Sequence, residues 1–200
     1  MKLLLHMCCA PCTVYPARVL KEEGIEFEGL FHNPNIHPFE EFTRRRENLE
    51  ILAGINGLTV NYIDDFDQAG WEGFRGEGEE RCRMCYSRRL EKAAQFASQE
   101  GFGAFTTTLL VSPYQKHDVI REIGENMAKK YGVGFYYRDF RPGFRKGQQL
   151  AREMGLYRQK YCGCIISLRD KQDKDKAKEM DKVREREKDK DKERSRDEDK

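Results

Sequence analysis

The chain has 200 residues, seven of them cysteine, with 37 Lys/Arg against 35 Asp/Glu. That length suits one domain with a real core and leaves little room for a second. The net charge of +2 excludes nucleic-acid binding through bulk charge, so only local patches can serve such a role.

No apolar stretch approaches the ~20 residues that span a bilayer. The initial apolar run is too short for a signal peptide, so the expectation is a cytoplasmic protein with no membrane partner. In that compartment, clustered thiols argue for metal binding or redox catalysis rather than a disulfide framework.

Lys2–Met7 reads as a short buried strand that ends abruptly at Cys8-Cys9-Ala10-Pro11-Cys12. A helix is expected to follow, with Thr13 as N-cap and Gly24 as its stop. The first three thiols then lie at a strand-to-helix turn, the carboxyl edge where ligands bind in an open α/β sheet. Glu26–His32 alternates as a second strand, and a helix entered at Pro38 runs to about Ala53. Thr59–Ile63 makes a third strand. Asp64–Glu80 reads as irregular, and the only tryptophan, Trp71, lies in it. Cys82-x-x-Cys85 opens the next helix, and Ala104–Val111 is a fourth strand. Ser112-Pro113-Tyr114-Gln115 fits a capping box for a helix to about Tyr131. Gly134–Phe140 is a fifth strand, and a helix over Gly147–Met154 leads to Cys162-Gly163-Cys164. This alternation predicts an α/β fold, a mostly parallel sheet with its first strand central and helices on both faces.

From Arg169 to Lys200 the chain carries 14 Lys/Arg and 13 Asp/Glu. Such a tail cannot bury enough surface to offset its ordering entropy. Disorder is expected, with a solitary charged helix as the alternative. The organisation read here is one catalytic domain over residues 1–168 and a charged tail over 169–200.

All seven thiols fall in three clusters, Cys8/Cys9/Cys12, Cys82/Cys85 and Cys162/Cys164. Thiolates bind zinc or iron, and a helix start favours the thiolate form. Adjacent Cys8-Cys9 suits a cluster edge better than a compact zinc knuckle. Cys162-Gly163-Cys164 has two readings of equal weight: a strained, easily reduced disulfide that stores two electrons, or two metal ligands. His6 reads as a core residue. Asp64, Asp65 and Asp67 read as a solvated strand end, and Arg44-Arg45-Arg46 as a solvated helix face. Arg138, Arg141, Arg145, Lys146, Arg158 and Lys160 gather near the third thiol cluster and are candidates for polyanion binding. Neither G-x-G-x-x-G nor G-x-x-x-x-G-K-[ST] follows the first strand, which disfavours nucleotide hydrolysis and Rossmann-type NAD binding.

Six blocks in order are His6-Met-Cys-Cys-Ala-Pro-Cys12, Phe31-His-Asn-Pro-Asn-Ile-His-Pro38, Arg81-Cys-Arg-Met-Cys85, Phe105-Thr-Thr-Thr-Leu-Leu-Val-Ser-Pro-Tyr-Gln115, Asp139-Phe-Arg141 and Leu156-Tyr-Arg-Gln-Lys-Tyr-Cys-Gly-Cys164. Together, over Met1 to Ser167, they resemble the QueH family of epoxyqueuosine reductases. The resemblance implies a fold of the PP-loop/HUP nucleotide-binding superfamily, with cysteines in place of the ATP loop. It implies reduction of epoxyqueuosine to queuosine at the wobble position of tRNA, the last step of queuosine biosynthesis.

It further implies a [4Fe–4S] cluster on Cys8, Cys9, Cys82 and Cys85, without cobalamin, and a redox-active pair, Cys162 and Cys164. Cys12 becomes the candidate ligand of an additional iron ion. Tyr161 and Asp139 are candidate proton donors, and Arg141, Arg145, Lys146, Arg158 and Lys160 candidate tRNA contacts. The partners are then tRNA carrying epoxyqueuosine and an electron donor that the sequence does not identify. Two alternatives stay open: an Fe–S-dependent tRNA thiolation enzyme, and a non-catalytic structural zinc protein.

Overall fold

The computed structural model describes residues 2–76 and 78–198. Its strands are β1 (Leu3–His6), β2 (Phe27–His32), β3 (Val60–Ile63), β4 (Ala104–Thr107) and β5 (Gly134–Phe135). Its helices are α1 (Ala10–Glu22), α2 (Phe39–Asn56), α3 (Gln68–Glu72), α4 (Gly78–Gln99), α5 (His117–Tyr131), α6 (Phe144–Glu153) and α7 (Ile165–Glu198). The strands form one sheet in the order β3-β2-β1-β4-β5, and every pairing is parallel. β1 is central, as the alternation predicts, with Leu3 opposite both Phe27 and Ala104.

The period-two rule explains how β1 organises two layers. Leu4 points into a core with Leu90, Ala94, Ile120 and Ile123 from α4 and α5. Leu3 and Leu5 point the other way, among Leu20, Leu49, Leu52 and Ala151 from α1, α2 and α6. All three leucines are essentially inaccessible to water. A strand buried on both faces reads as an unbroken apolar run, which is what Leu3-Leu4-Leu5 is.

Several boundaries differ from the sequence reading, each for a local reason. α1 begins at Ala10, with Cys9 rather than Thr13 at the N-cap. The Thr13 hydroxyl instead donates to the Cys9 carbonyl at 2.9 Å. The stretch read as irregular contains α3, capped by the Asp67 carboxylate, which accepts from Gly70 N at 2.8 Å. The fully buried Trp71 pins that helix to the fold. β4 stops at Thr107, whose hydroxyl accepts from Leu109 N at 3.1 Å and turns the chain into a 3-10 turn over Thr108–Val111. The capping box at Ser112 does not form. The Gln115 side chain accepts from the Tyr86 hydroxyl at 2.7 Å, and α5 starts at His117. β5 keeps only two residues, and the chain then passes through a 3-10 turn at Arg141–Gly143 into α6.

The charged tail is helical as α7. Its first turn is seated: Ile165 and Cys164 are buried with Trp71, and Met84, Cys85, Ile166 and Leu168 pack around them. Arg169 pairs with Glu72 at 2.5 Å. Beyond that turn, the residues whose burial is described are exposed apart from the half-buried Lys171. No helix among the described residues is long and apolar enough to cross a membrane.

Candidate active site

A cleft of about 510 Å³ opens at the carboxyl edge of the sheet. Cys8, Cys12, Cys82, Cys85, Cys162 and Cys164 all line it. The seventh thiol, Cys9, lies just beneath, with its sulfur 3.8 Å from that of Cys8. Three separate segments supply these groups: the β1–α1 turn, the first turns of α4, and the loop that enters α7. The volume falls in the ~300–1,000 Å³ range typical of small-molecule sites.

The sulfurs of Cys8, Cys9 and Cys12 lie within 4.8 Å of one another. The Thr108 hydroxyl donates to Cys8 Sγ at 3.2 Å and accepts from Cys8 N at 3.0 Å. Gln159 covers the other two thiols, its Nε2 donating to Cys9 Sγ at 2.9 Å and to Cys12 Sγ at 3.5 Å. Its Oε1 is buried with no partner among the described residues. Hydrogen bonds from Cys12 and Cys9, helped by the Arg89 charge and Thr108, hold the Cys8 thiol well below its usual range. Cys9, by burial, is pushed up to about 12. Cys12 is raised as well, chiefly because it gives its hydrogen bonds to Cys8 and Cys9. The triad therefore holds one thiolate between two protonated neighbours.

Two buried arginines supply positive charge. Arg89 stands one helical turn from Cys85, its Nη1 4.0 Å from that sulfur, and donates to Asn33 Oδ1 at 2.8 Å. Burial nevertheless raises Cys85 to about 11. Arg45 pairs with Glu41 at 2.7 Å, both almost wholly buried, and Glu41 also accepts from the Tyr157 hydroxyl at 2.7 Å. Arg45 then donates to the carbonyls of Cys162 and Tyr161, each at 3.1 Å. This corrects the reading of Arg44-Arg45-Arg46 as a solvated face, because the middle residue points inward and fixes the last thiol loop.

That loop is held from a second side by His37. Its backbone N–H donates to Gly163 O at 2.8 Å, and its Nδ1 accepts from Ile165 N at 3.1 Å. Nδ1 is therefore the bare nitrogen, and Nε2–H donates to Pro34 O at 2.9 Å. Gly163 has φ +124°, and a Cβ there would lie 3.1 Å from Arg45 Nη1, so only glycine suits the position. The two sulfurs of the pair are 3.9 Å apart. Cys164 occupies the N-cap position of α7, its sulfur accepting from Ser167 N at 3.3 Å. The hydrogen bond from Cys164 lowers Cys162 to about 5 and raises Cys164 far above its usual range. Cys162 is exposed and Cys164 buried.

Tyr161 and Lys160 also line the cleft. The Tyr161 hydroxyl donates to the His37 carbonyl, and burial raises its pKa. Asp139, the other candidate proton donor, lies elsewhere. Hydrogen bonds from Arg141 hold it at about 2, it is ionised near neutral pH, and it is not among the cleft residues. Arg141 is correspondingly engaged with Asp139 at 2.6 Å. Arg145, Lys146 and Arg158 are exposed and do not line the cleft. His6 is fully buried, its ring bonded to Thr107 Oγ1 at 2.8 Å and His32 O at 3.1 Å. Asp64 and Asp65 pair with Arg46 and His32, and Asp67 pairs with Arg88.

The donor set fits a soft metal centre: clustered sulfur, largely shielded from water, with cationic charge beside it. Cys82 and Cys85 stand outside the tight group of three. The cleft thus gathers sulfur from the triad and from α4 along one lining.

Residues 3–170 match the family model described as epoxyqueuosine reductase QueH. The chain is 37% identical over 190 residues to the epoxyqueuosine reductase QueH of Thermotoga maritima, covering 86% of this chain and 92% of that protein. The Dehalococcoides mccartyi protein of the same name is 36% identical over 167 residues, covering 83% and 92%. The Haemophilus influenzae one is 37% identical over 180 residues, covering 84% and 72%. Among solved structures, a predicted subunit of tRNA methyltransferase from Methanocaldococcus jannaschii superposes with a TM-score of 0.51 at 14% identity, covering 76% and 75% of the two chains. That likeness is one of fold alone.

Proposed function

The chain belongs to the QueH family of epoxyqueuosine reductases, and is an oxidoreductase; from that premise we propose that the thiol-lined cleft reduces epoxyqueuosine to queuosine at the wobble position of tRNA. The observation that carries the reading is the convergence of six thiols from three distant segments on one cleft. Cys8, Cys9, Cys82 and Cys85 are the residues that would hold a [4Fe–4S] cluster, and Cys12 the one that would hold an additional iron. When bound, such a centre supplies electrons and an iron able to polarise an epoxide oxygen. The reading requires no cobalamin. The catalytic unit is residues 1–168, and the tail over 169–200 takes no part in the chemistry.

Release of the epoxide oxygen as water takes two electrons and two protons. Oxidation of a thiolate–thiol pair to a disulfide supplies both electrons and one proton, and solvent water supplies the second proton. Cys162 and Cys164 suit that role, because one is an exposed thiolate near neutral pH and the other keeps its proton. An external reductant of the thiol class then restores the pair. Arg45, Glu41 and His37 orient the pair. Tyr161 serves as a neutral hydrogen-bond donor rather than an acid, since its pKa is raised and its proton is given to His37 O. The wobble nucleotide would leave its stack to reach the cleft, as bases do in enzymes that act on them. Lys160 stands at the mouth, and the exposed Arg145, Lys146 and Arg158 extend positive charge for the backbone.

The test is anaerobic purification, determination of iron, sulfide and zinc, and assay of tRNA carrying epoxyqueuosine for loss of one oxygen mass. Iron and sulfide with product formation are expected, equal in amount for the cluster alone and with iron in excess of sulfide where Cys12 holds the additional ion. Colourless protein holding zinc alone, with no product, overturns the redox reading in favour of structural zinc. Transfer of sulfur to tRNA in the presence of ATP overturns it in favour of thiolation.

A further inference from the structure

We propose that Tyr114 and Phe144 form a stacking shelf at the cleft mouth for the nucleobase adjacent to the wobble nucleotide. This rests on the tRNA reading above and adds a recognition element to it. Tyr114 is 83% exposed, the most exposed large hydrophobic residue among those described. Its ring meets Phe144 edge to face, centroids 5.9 Å apart at 84°, and both residues line the thiol cleft. Folding does not account for a tyrosine that buries so little.

The Tyr114 loop is nonetheless held rigidly. Tyr114 N donates to Ser112 Oγ at 3.3 Å, and Gln115 N to Ser112 O at 3.3 Å. His117 Nε2 bonds Ser112 O at 3.1 Å. Tyr86 OH donates to Gln115 Oε1 at 2.7 Å and accepts from Lys116 N at 3.3 Å. Tyr86 is on α4, one residue after Cys85. The shelf is therefore tied to the helix that carries two of the cleft thiols.

A pre-ordered aromatic with an open face loses little entropy on binding. Its neighbours decide the occupant. Lys160 is exposed and lines the same cleft with Gln115 and Gln148, and Lys116 beside them is exposed and pairs with Glu79 at 3.0 Å. Cations around an open ring suit a polyanion with flat bases, and base–aromatic stacking is how single-stranded nucleotides are held. When one nucleotide turns into the cleft, its neighbour loses a stacking partner, and the Tyr114 face replaces it.

The experiment uses an unmodified tRNA anticodon stem-loop with 2-aminopurine next to the wobble position, titrated with wild-type protein, Tyr114→Ala and Tyr114→Phe. Wild type should quench the probe. Tyr114→Ala should abolish the quench and weaken binding about 5- to 150-fold, the loss equivalent to one stacked base. Tyr114→Phe should restore both. In turnover of tRNA carrying epoxyqueuosine, Tyr114→Ala should raise KM far more than it lowers kcat. Wild-type quenching with equal affinity in Tyr114→Ala overturns the shelf and leaves the tRNA reading intact. Wild-type protein that neither binds the stem-loop nor acts on the tRNA overturns both.

Discussion

Two thiol clusters in this protein use the same electrostatic device in opposite surroundings. In Cys8/Cys9/Cys12 and in Cys162/Cys164, one sulfur is held as thiolate by hydrogen bonds from neighbouring thiols that keep their protons. The first is a buried triad at the β1–α1 turn, roofed by Gln159. The second sits on a loop, with its thiolate exposed. Burial suits permanent ligation, while exposure suits reversible chemistry with substrate and reductant. The difference comes from the backbone: the triad follows the central strand, and the pair hangs from side chains, Arg45 and His37.

The sharpest way to break this comparison is to replace one thiol from each cluster. Cys8→Ser should abolish turnover together with iron content. Cys162→Ser should retain iron yet support no more than one turnover with a thiol reductant. Equal iron loss in both would make the pair metal ligands. The pH dependence of alkylation separates the clusters in metal-free protein. Cys162 should react steadily above pH 5 and slow about tenfold per unit below it, because its depressed pKa leaves it thiolate until protonated. Cys8, largely buried in the cleft wall, should react more slowly than Cys162 throughout. Peptide mass spectrometry after timed labelling reads both.

Next in size are the supports of the exposed pair. Glu41→Gln leaves Arg45 as an unpaired buried charge, and should cost about 3–5 kcal/mol in denaturant unfolding. It should also loosen the Cys162 loop, raising hydrogen exchange at Ile165, whose amide is bonded to His37. Gly163→Ala forces a side chain into a backbone region reserved for glycine and should cost on the order of 1–3 kcal/mol. Both should spare the triad.

The sequence shows unevenly how these clusters are built. The parallel sheet with β1 at its centre follows from alternation, and thiols bunched at three points imply a common site. The supports are less legible. Arg45 sits in a run of three arginines, and only its i,i+4 relation to Glu41 hints that it turns inward. Arg89 stands in the same relation to Cys85. Nothing local marks Gln159, 147 residues from Cys12, as its cover. Thr107 and Ser112 drew boundaries away from propensity because their hydroxyls bond backbone amides in turns, as short polar side chains do. Asp139 pairs with Arg141 two residues on, a contact that the spacing within the shared block allows but does not announce.

The smallest effect tests whether the clusters are electrically independent. Thr108 touches only the buried one, giving its hydroxyl proton to Cys8 Sγ and accepting from Cys8 N. Thr108→Val keeps the shape and removes one donor to the Cys8 sulfur. The sign is upward, because a bond to the charged form is lost and the thiolate then persists only at higher pH. In metal-free protein the ultraviolet thiolate titration of Cys8 should move up. Cys162 should still titrate near 5, since the groups that lower it are Cys164, Ser167 and Arg45, none of which bonds Thr108. A parallel shift of both would mean that charge on the buried triad reaches the exposed pair across the cleft, and the two clusters would then have to be treated as one titrating unit.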